Sequence, residues 1–281
     1  MKAFEPEYAV SDMCKAFDVS HSHYYGYRHG PPGPRAKADA ELGEQIEEIF
    51  EANKRRYGSP RITQQLHKNG RCCGENRVAK IMRNKGIRAS KPRRFVPVTT
   101  NSKHGCPVAP NRLAQVEKIE HINQVWTSDI TYIRLVSGWN YLAVVMDLFS
   151  RHIVGWSLQN HLRSDLAIEA LLRALGHRRP RPGMLHHSDQ GVQYASFKYQ
   201  KLLAQHHIVP SMTRRGNCYD NAAMESFFGS LKSELEAPRG FPSHQQAKAA
   251  LFEYIEVFYN RKRLHSSLGY RSPMEFETAF C

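Results

Sequence analysis

Long apolar runs, paired cysteines and a secretory leader are all missing from this 281-residue sequence. The longest notable apolar run ends at Asp147, well short of the roughly 20 residues that a membrane-spanning helix needs. Two acids stand among the first seven residues without an apolar stretch, which is not typical of a secretory signal. The six cysteines form no C-x-x-C pair, which disfavours a disulfide framework and a thiolate zinc site. We therefore expect a cytoplasmic chain with reduced thiols.

Acidic residues are absent from one long segment. The chain has 40 Lys and Arg against 26 Asp and Glu, a net charge of +14, and residues 76–116 supply ten of the basic residues without a single acid. Such a segment repels itself, and it becomes favourable beside a polyanion because neutralised phosphates release counterions. Hydrophobic residues still make up 41% of the chain, enough for a packed core. Contact with nucleic acid is therefore the favoured interpretation, and a solubilising linker is the alternative.

The N-terminal third is predicted to be helical. Residues 1–30 form a short helical segment, either a helix-turn-helix remnant or a hairpin that packs against something else. Residues 36–88 contain three periodic stretches and form a helix-turn-helix-type module, and residues 89–120 form a basic linker. The periodic stretches cover residues 39–53, 57–70 with Ser59 as the N-cap, and 76–85 with Asn76 as the N-cap.

The last helix of this module is the one we place against DNA. Arg77, Lys80 and Arg83 recur every three residues and lie toward a face different from the apolar one. The alternative is a small helical bundle with a solvated basic face.

An α/β layout is predicted for residues 121–240, followed by a C-terminal helix and basic tail over 241–281. Three alternating or apolar stretches predict consecutive antiparallel strands, and alternating helices and short strands follow them. The strands are expected at 125–135, 139–149, 152–159, 184–188 and 208–212, and the helices at 164–175 with Ser164 as the cap, 196–206, 222–235 and 243–260.

Three carboxylates stand at informative places in this layout. Asp129 lies in the middle of a strand, Asp189 just after one, and Glu225 on a helix. Converging acids repel one another unless cations neutralise them, and all-oxygen ligation suits Mg²⁺ or Mn²⁺ better than Zn²⁺. Two such ions about 3.5–4 Å apart activate an attacking oxygen and stabilise the leaving oxygen of a phosphodiester. We therefore predict phosphoryl transfer on a polynucleotide.

Each acid also has an ordinary alternative. Asp189 could cap the turn that follows it, Glu225 could be a surface helix residue, and Asp129 could pair with an arginine. Asp147 also ends a strand, but Ser150 and Arg151 follow it, so a turn or an ion pair is expected there.

The sequence strings around these acids carry a resemblance. The three acids, with residues 190–224 between the last two, resemble the acidic triad of retroviral-integrase-type transposases. The chain is similar over residues 8–275 to the transposases encoded by the second reading frame (OrfB type) of a large family of bacterial insertion sequences. The strings are W-T-S-D-I-T-Y (126–132), H-S-D-Q-G-V-Q-Y (187–194), D-N-A-x-M-E-S-F-F-x-x-L-K (220–232), Y-N-x-x-R-x-H-x-x-L-G (259–269) and Y-G-S-P-R-I (57–62).

This resemblance implies a fold, a reaction and a set of roles. The fold is a ribonuclease-H-like core with a mixed five-stranded sheet and flanking helices, in which the three acids bind two Mg²⁺, or Mn²⁺ in their place. The reaction nicks DNA at the element's ends with water and then joins the freed 3′-hydroxyl to another phosphodiester. Lys232 is expected to hold a phosphate of the terminal DNA. Gln193, Tyr194, Asn217, Asp220 and Asn221 are expected to line the site, while Tyr259, Asn260, Arg263 and His265 contact DNA or brace the core.

Partners follow from the same resemblance. Double-stranded DNA is expected as both end and target, bound by a homo-oligomer at the bacterial nucleoid. The sequence has no sustained heptads, so end recognition is expected to need an upstream-frame protein or fusion partner. A structure-selective nuclease and a non-catalytic DNA-binding regulator remain as alternatives. His21 and His23 are not expected to bind zinc, because Cys72 and Cys73 are adjacent without a second ligand pair.

Overall fold

The chain divides into two compact units. A computed structural model describes residues 1–29, 33–89, 105–213, 221–235 and 239–280. The N-terminal unit is Met1–Ala89 and the C-terminal unit is Ser90–Cys281. No helix among the described residues is both long enough and apolar enough to cross a membrane.

All the regular structure of the N-terminal unit is helical in residues 1–29 and 33–89. Its three longer helices pack together around a buried aliphatic core that includes Ile46, Ile62 and Val78. Two of them approach closely at Gly43, where a Cβ atom would lie 2.6 Å from Cε of Lys85. The helices are α1 (Val10–Ala16), α2 (His21–His29), α3 (Pro34–Ala52), α4 (Ser59–Lys68) and α5 (Glu75–Asn84).

The predicted N-caps of three helices were wrong by one or two residues. Ser59 is the first residue of α4, with Gly58 in the cap position, and Asn76 lies inside α5, which Gly74 precedes. Both glycines have extended backbone and leave no side chain to accept a capping hydrogen bond. The helix predicted to begin after Ser164 likewise includes that serine.

The C-terminal unit is built on a mixed sheet of five strands. Its order is β3-β2-β1-β4-β5, in which β1, β2 and β3 pair antiparallel while β4 and β5 join parallel to β1. The strands are β1 (Val125–Leu135), β2 (Gly138–Asp147), β3 (Ile153–Gln159), β4 (Leu185–Ser188) and β5 (Val209–Met212). The prediction of a ribonuclease-H-like α/β core, with a mixed five-stranded sheet and flanking helices, is confirmed.

Helices cover the sheet and position the chain segments at its ends. One of them packs on β2 and β3 so closely that a Cβ atom on Gly155 would lie 2.3 Å from the carbonyl oxygen of Ala170. Two others contact β1. The helices are α6 (Ser164–Arg178), α7 (Val192–Ala195), α8 (Phe197–Gln205), α9 (Ala222–Glu234), α10 (His244–Phe252) and α11 (Pro273–Thr278).

The C-terminal segment is more ordered than the predicted helix and basic tail. The helix over 243–260 changes to a π-helix at Glu253–Tyr259, and the chain then ends in α11, which a reciprocal Ser272–Glu275 capping box begins. The Asn260 side chain accepts from the backbone N–H of Ile153 at 2.9 Å and donates to its carbonyl at 3.0 Å. These bonds attach the segment to strand β3.

Candidate active site

The β1–β4 pairing brings two of the predicted acids together. Ser128 of β1 and Ser188 of β4 are partners in a parallel register, so the next residues, Asp129 and Asp189, stand side by side where β4 ends. Neighbouring strands lie about 4.8 Å apart, which puts the two backbones within one side chain of each other. Asp129 is thus the first residue of β1 beyond the end of its pairing with β4, while β2 remains paired on the other side.

Helix α9 adds the third acid and an amide. Asn221, at the N-cap position of α9, donates from Nδ2 to Oδ2 of Asp129 at 2.7 Å. Glu225 lies one turn further on the same face and in the first turn of the helix, where the helix dipole favours a negative charge. Asn221 therefore fixes α9 against Asp129 with Glu225 next to the pair.

The pKa of Asp129 reflects its burial and the charges of the other two acids. Burial raises the pKa of Asp129, the charge of Asp189 raises it further, and Glu225 adds to the same effect. Hydrogen bonds from the Ile130 backbone and Asn221 oppose the rise, and the resulting pKa is about 7. Without a cation, the ionised form of Asp129 is thus disfavoured. We call Asp129, Asp189 and Glu225 the acidic cluster.

A tight turn holds Asp189. Its Oδ1 accepts from the backbone N–H of Gly191 at 2.9 Å, and a Cβ atom at residue 191 would stand 2.9 Å from the same oxygen. Gly191 therefore lets the backbone approach the carboxylate. Gln190 donates to the carbonyl of Thr213 at 2.8 Å, which connects the ends of β4 and β5.

The donor set of the acidic cluster fits a hard divalent cation. All its side-chain atoms are oxygens, as Mg²⁺ and Mn²⁺ prefer. Beside it, Oδ1 of Asn221 is a buried acceptor without a hydrogen-bond partner among the described residues. In that same part of the chain, no three His, Cys, Asp or Glu side chains stand close enough together to hold a metal ion. The three acids of the cluster therefore do not stand close enough together to share one ion, although the charges of Asp189 and Glu225 act on the pKa of Asp129.

A buried hydrogen-bonded group lies beside the two aspartates in the sheet. His186 of β4 contacts the Ser128 hydroxyl at 2.8 Å and the Tyr199 hydroxyl at 3.0 Å through Nε2. Burial lowers the pKa of His186 to about 3, so the ring is neutral. The group connects β1, β4 and α8 next to the register pair, and both His186 and His187 are buried strand residues.

Other residues predicted to line the site lie near it in different roles. Tyr194 is buried, and burial together with the charges of Asp129 and Asp189 raises its pKa well above the usual value. Gln193 donates to the carbonyl of Leu162 at 3.0 Å. Lys232 lies on α9 two turns beyond Glu225; desolvation lowers its pKa, and the charge of Asp129 opposes that effect. Asn217 and Asp220 lie outside the described residues.

The predicted contacts of the C-terminal string face inward. Arg263 is 3% exposed and forms an ion pair with Glu234, with Nη2 and Oε1 2.7 Å apart. Tyr259 and Asn260 are buried as well, and the ring of His265 packs edge-on against Tyr259 with centroids 4.7 Å apart. Of the two roles considered for these residues, this placement favours bracing the core over contacting DNA.

The basic residues of α5 divide into two groups. Arg77 pairs with Asp39 of α3, its Nη2 2.6 Å from Oδ1, whereas Lys80 and Arg83 are exposed. Lys80 and Arg83 therefore provide the positive charge that α5 presents to solvent.

Sequence reasoning missed two buried ionic groups. Glu234 accepts from Arg263 and from the Tyr254 hydroxyl, and Glu277 accepts from Ser150 and Arg178. The S-x-x-E capping pattern at 272–275 was the available signal for α11. Asp147, by contrast, has the expected turn role, accepting from the backbone N–H groups of Asn123 and Phe149 at 2.6 and 2.8 Å.

Comparison with known protein families matches both units. Residues 37–95 match an HTH-like domain, residues 120–218 an integrase core domain, and residues 206–273 a second integrase core domain model. The mixed sheet and these matches define the class of protein: the chain is a polynucleotidyl transferase of the transposase and integrase class, and DNA is its partner.

Curated relatives narrow this class. The transposase of insertion sequence IS904 from Lactococcus lactis is 43% identical over 84% of this chain and 93% of its own length. The transposase InsF of IS3A from Escherichia coli is 39% identical over 97% of this chain and 95% of its own length. The solved intasome of simian T-cell lymphotropic virus with a PP2A regulatory subunit is 18% identical, with a TM-score of 0.48 over 82% of this chain and 73% of that chain. The chain belongs to the family of IS3-type insertion-sequence transposases.

Proposed function

We propose that this transposase nicks DNA at the ends of its element and transfers the freed 3′-hydroxyl to a new phosphodiester, with Asp129, Asp189 and Glu225 as the catalytic residues. The observation that carries the proposal is the β1–β4 register, which sets Asp129 beside Asp189, together with the effect of Glu225 on the pKa of Asp129. Burying a carboxylate beside other carboxylates lowers the stability of the fold. Such an arrangement is more often found at functional sites than elsewhere, which supports a catalytic role.

The acidic cluster is the proposed holder of two Mg²⁺ ions, for which Mn²⁺ can substitute. When bound, such ions supply charge neutralisation and activate the attacking and leaving oxygens. Asn221 orients Oδ2 of Asp129 through its amide, and the Gly191 N–H orients Oδ1 of Asp189. Glu225 is exposed on α9, so its side chain is free to turn toward the aspartates.

The remaining proposed residues position DNA. Lys232 binds a phosphate of the terminal DNA, because it lies about 10 Å along α9 from Glu225. Gln193, Tyr194, Asn217 and Asn221 line the path to the acids. In the N-terminal unit, Lys80 and Arg83 bind the phosphate backbone, and Arg77 holds α5 against α3 through Asp39.

The active species is proposed to be a homo-oligomer on DNA at the bacterial nucleoid. An upstream-frame protein, as partner or as fusion, supplies the sequence-specific recognition of the element's ends. The support is the absence of sustained heptads from the sequence of this chain.

The test is joining of a labelled 3′-end to target DNA by the purified full chain in Mg²⁺. Asp129→Asn, Asp189→Asn and Glu225→Gln are each expected to lower nicking and joining at least about a thousandfold, while DNA binding persists. Asp165→Asn on α6 is the matched control, because Asp165 is an exposed acid of the same unit and should leave both reactions unchanged.

Each alternative function has its own outcome in this assay. Cleavage without joining would assign a nuclease. DNA binding without metal-dependent cleavage would assign a regulator. Retained nicking by any of the three variants would remove that residue from the catalytic set.

A further inference from the structure

An apolar groove opens along the part of β1 that β4 leaves uncovered. Strand β4 pairs with β1 only as far as Ser128, and the chain after α9 returns to β1 at Phe241. Between these contacts lies a groove of about 260 Å³. Its lining includes Tyr132, Arg134, Trp139, Leu231, Lys232 and Phe241. We call this the edge groove.

The edge groove combines aromatic walls with a cationic rim. Trp139 is 45% exposed and meets Tyr132 edge-on, with ring centroids 6.0 Å apart. Lys232 and Arg134 bring two positive charges to the same groove, and no acid lines it among the described residues. Aromatic faces beside cations are what single-stranded nucleic acid binds: bases stack on the rings, and phosphates meet the charges.

The volume of the edge groove and the direction of its main-chain polar groups limit the kind of ligand that it can bind. Ligand pockets for drug-sized molecules start at roughly 300 Å³, so this groove suits a smaller flat group. The backbone of Arg134 bonds to Phe241 at this edge, and the period of two directs the main-chain groups of Tyr132 the same way. The groove therefore presents polar main chain beside its aromatic walls, as a nucleobase requires.

The edge groove lies near the acidic cluster, which relates its ligand to the proposed reaction. Tyr132 lies three residues from Asp129, roughly 10 Å at about 3.3 Å per residue, and Lys232 lies about 10 Å along α9 from Glu225. That distance equals about three steps of a duplex at about 3.4 Å each. Side chains alternate along a strand, so Tyr132 and Asp129 point to opposite faces of the sheet. The connection between the groove and the acids is therefore α9, which carries Glu225 and places Lys232 in the lining of the groove.

We propose that the edge groove binds one unpaired base of the terminal DNA, stacked on Trp139 with its phosphate at Lys232. This inference rests on the proposed function for the identity of the DNA, and it adds an opened strand end as the preferred form of that DNA. The groove holds the separated strand, and so favours DNA ends that are already unpaired next to the reacting phosphate.

The test compares a blunt duplex with the same duplex carrying a short unpaired strand end, bound by the full chain in EDTA. The wild-type protein is expected to bind the unpaired end about tenfold more tightly. Trp139→Ala should remove this preference while leaving blunt-duplex binding unchanged, and Trp139→Phe should keep most of it because a ring remains. Phe252→Ala is the matched control, since Phe252 is an exposed aromatic residue on α10.

Intrinsic fluorescence supplies a second readout. The chain has three tryptophans. Trp126 and Trp156 are 0% and 5% exposed, so Trp139 is the one that a base can reach. The unpaired end should quench the wild-type emission, and the quench should disappear in Trp139→Phe. Persistence of the quench in that variant would contradict the assignment.

The outcomes separate this proposal from the proposed function. Asp129→Asn should keep the preference for unpaired ends although it abolishes nicking, so a failure of catalysis leaves the groove assignment intact. Equal binding of both duplexes by the wild-type protein would overturn the proposal. So would an equal loss for both duplexes in Trp139→Ala, which would assign Trp139 to the duplex backbone, or loss of the preference in Phe252→Ala.

Discussion

Two groups of carboxylates in the C-terminal unit differ in how the fold treats them. Asp147, Glu234 and Glu277 are buried and receive hydrogen bonds or cations from the chain itself. We call this first group the paired carboxylates. Within it, burial is outweighed at Glu277 by hydrogen bonds and a neighbouring cation, which lower its pKa, whereas burial outweighs the hydrogen bonds of Asp147 and raises its pKa. In the acidic cluster, no cation among the described residues outweighs the burial of Asp129, and the charges of the other two acids help to raise its pKa to about 7. The ionised form of Asp129 in the acidic cluster is thus disfavoured by its surroundings, and the proposed Mg²⁺ would offset that effect.

The largest expected effect on stability comes from removing the cationic partner of a paired carboxylate, which tests whether the two groups of acids differ as described. Arg263→Met leaves Glu234 buried without its cation and is expected to lower the free energy of unfolding by about 3–5 kcal/mol. Urea unfolding followed by tryptophan emission measures this, because all three tryptophans lie in the C-terminal unit. Adding Glu234→Gln to the same chain should recover part of the loss. If Arg263→Met lost DNA affinity without losing stability, Arg263 would instead be assigned as a DNA contact.

Glu277 gives a pH-dependent version of the same experiment. Burial alone would raise its pKa, but the hydrogen bond and charge of His152, the Ser150 hydroxyl and Arg178 lower it to about 2, from 4.5. Its stabilisation is therefore complete above the unfolded pKa and is lost as the pH falls toward 2. Glu277→Gln should cost about 2–3 kcal/mol at pH 7 and much less near pH 2. A constant difference between the two proteins across that range would contradict this account.

Replacing an acid of the acidic cluster should not lower the stability of the unit, in contrast to replacing Glu277. Mg²⁺ at ten times its dissociation constant is expected to stabilise the wild-type protein by about 1.4 kcal/mol. Asp129→Asn should unfold no earlier than the wild type in EDTA, because one of the repelling charges is gone, and it should gain less from Mg²⁺. Thermal unfolding with and without the ion measures both effects, and Asp165→Asn should behave as wild type. A destabilised Asp129→Asn protein in EDTA would place Asp129 among the paired carboxylates.

The smallest expected effects extend the comparison to the cations of α5. Replacing Lys80 and Arg83 by Ala should reduce the salt dependence of DNA binding by about 0.9 per lost phosphate contact, with little change in stability. Arg77→Ala should instead cost about 0.2–1 kcal/mol of stability, because a partly exposed pair with Asp39 is lost. Titrations of affinity against salt, run beside urea unfolding, separate the two groups. The same salt slope in all variants would remove α5 from the interface.

Much of the sheet was readable from local pattern. The alternation and apolar runs that became β1, β2 and β3 extend over 11, 10 and 7 residues, and their short connections favour antiparallel pairing. The parallel addition of β4 to β1 left no such local mark, because its register depends on packing between distant segments. The side-by-side placement of Asp129 and Asp189 therefore came from the structure, although both residues were named from the sequence.

The C-terminal segment shows where sequence reasoning failed. Residues 261–273 are rich in basic and polar side chains, which is typical of an exposed tail. Their order depends on partners far along the chain: Asn260 bonds to Ile153, and Arg263 to Glu234, 29 residues away. The sequence alone does not distinguish a basic side chain that pairs with a distant acid of the same chain from one that binds a DNA phosphate.

The bonds from Asn260 to Ile153 also matter for how copies of the protein meet. Strand β3 is an outer strand of the sheet, and an outer strand offers its main chain to any other chain that could extend the ladder. The Asn260 amide occupies one such donor and one acceptor, as an amide mimic of a sixth strand. Strand addition at Ile153, the first residue of β3, is thereby blocked, which leaves one fewer open position at this edge for pairing between sheets.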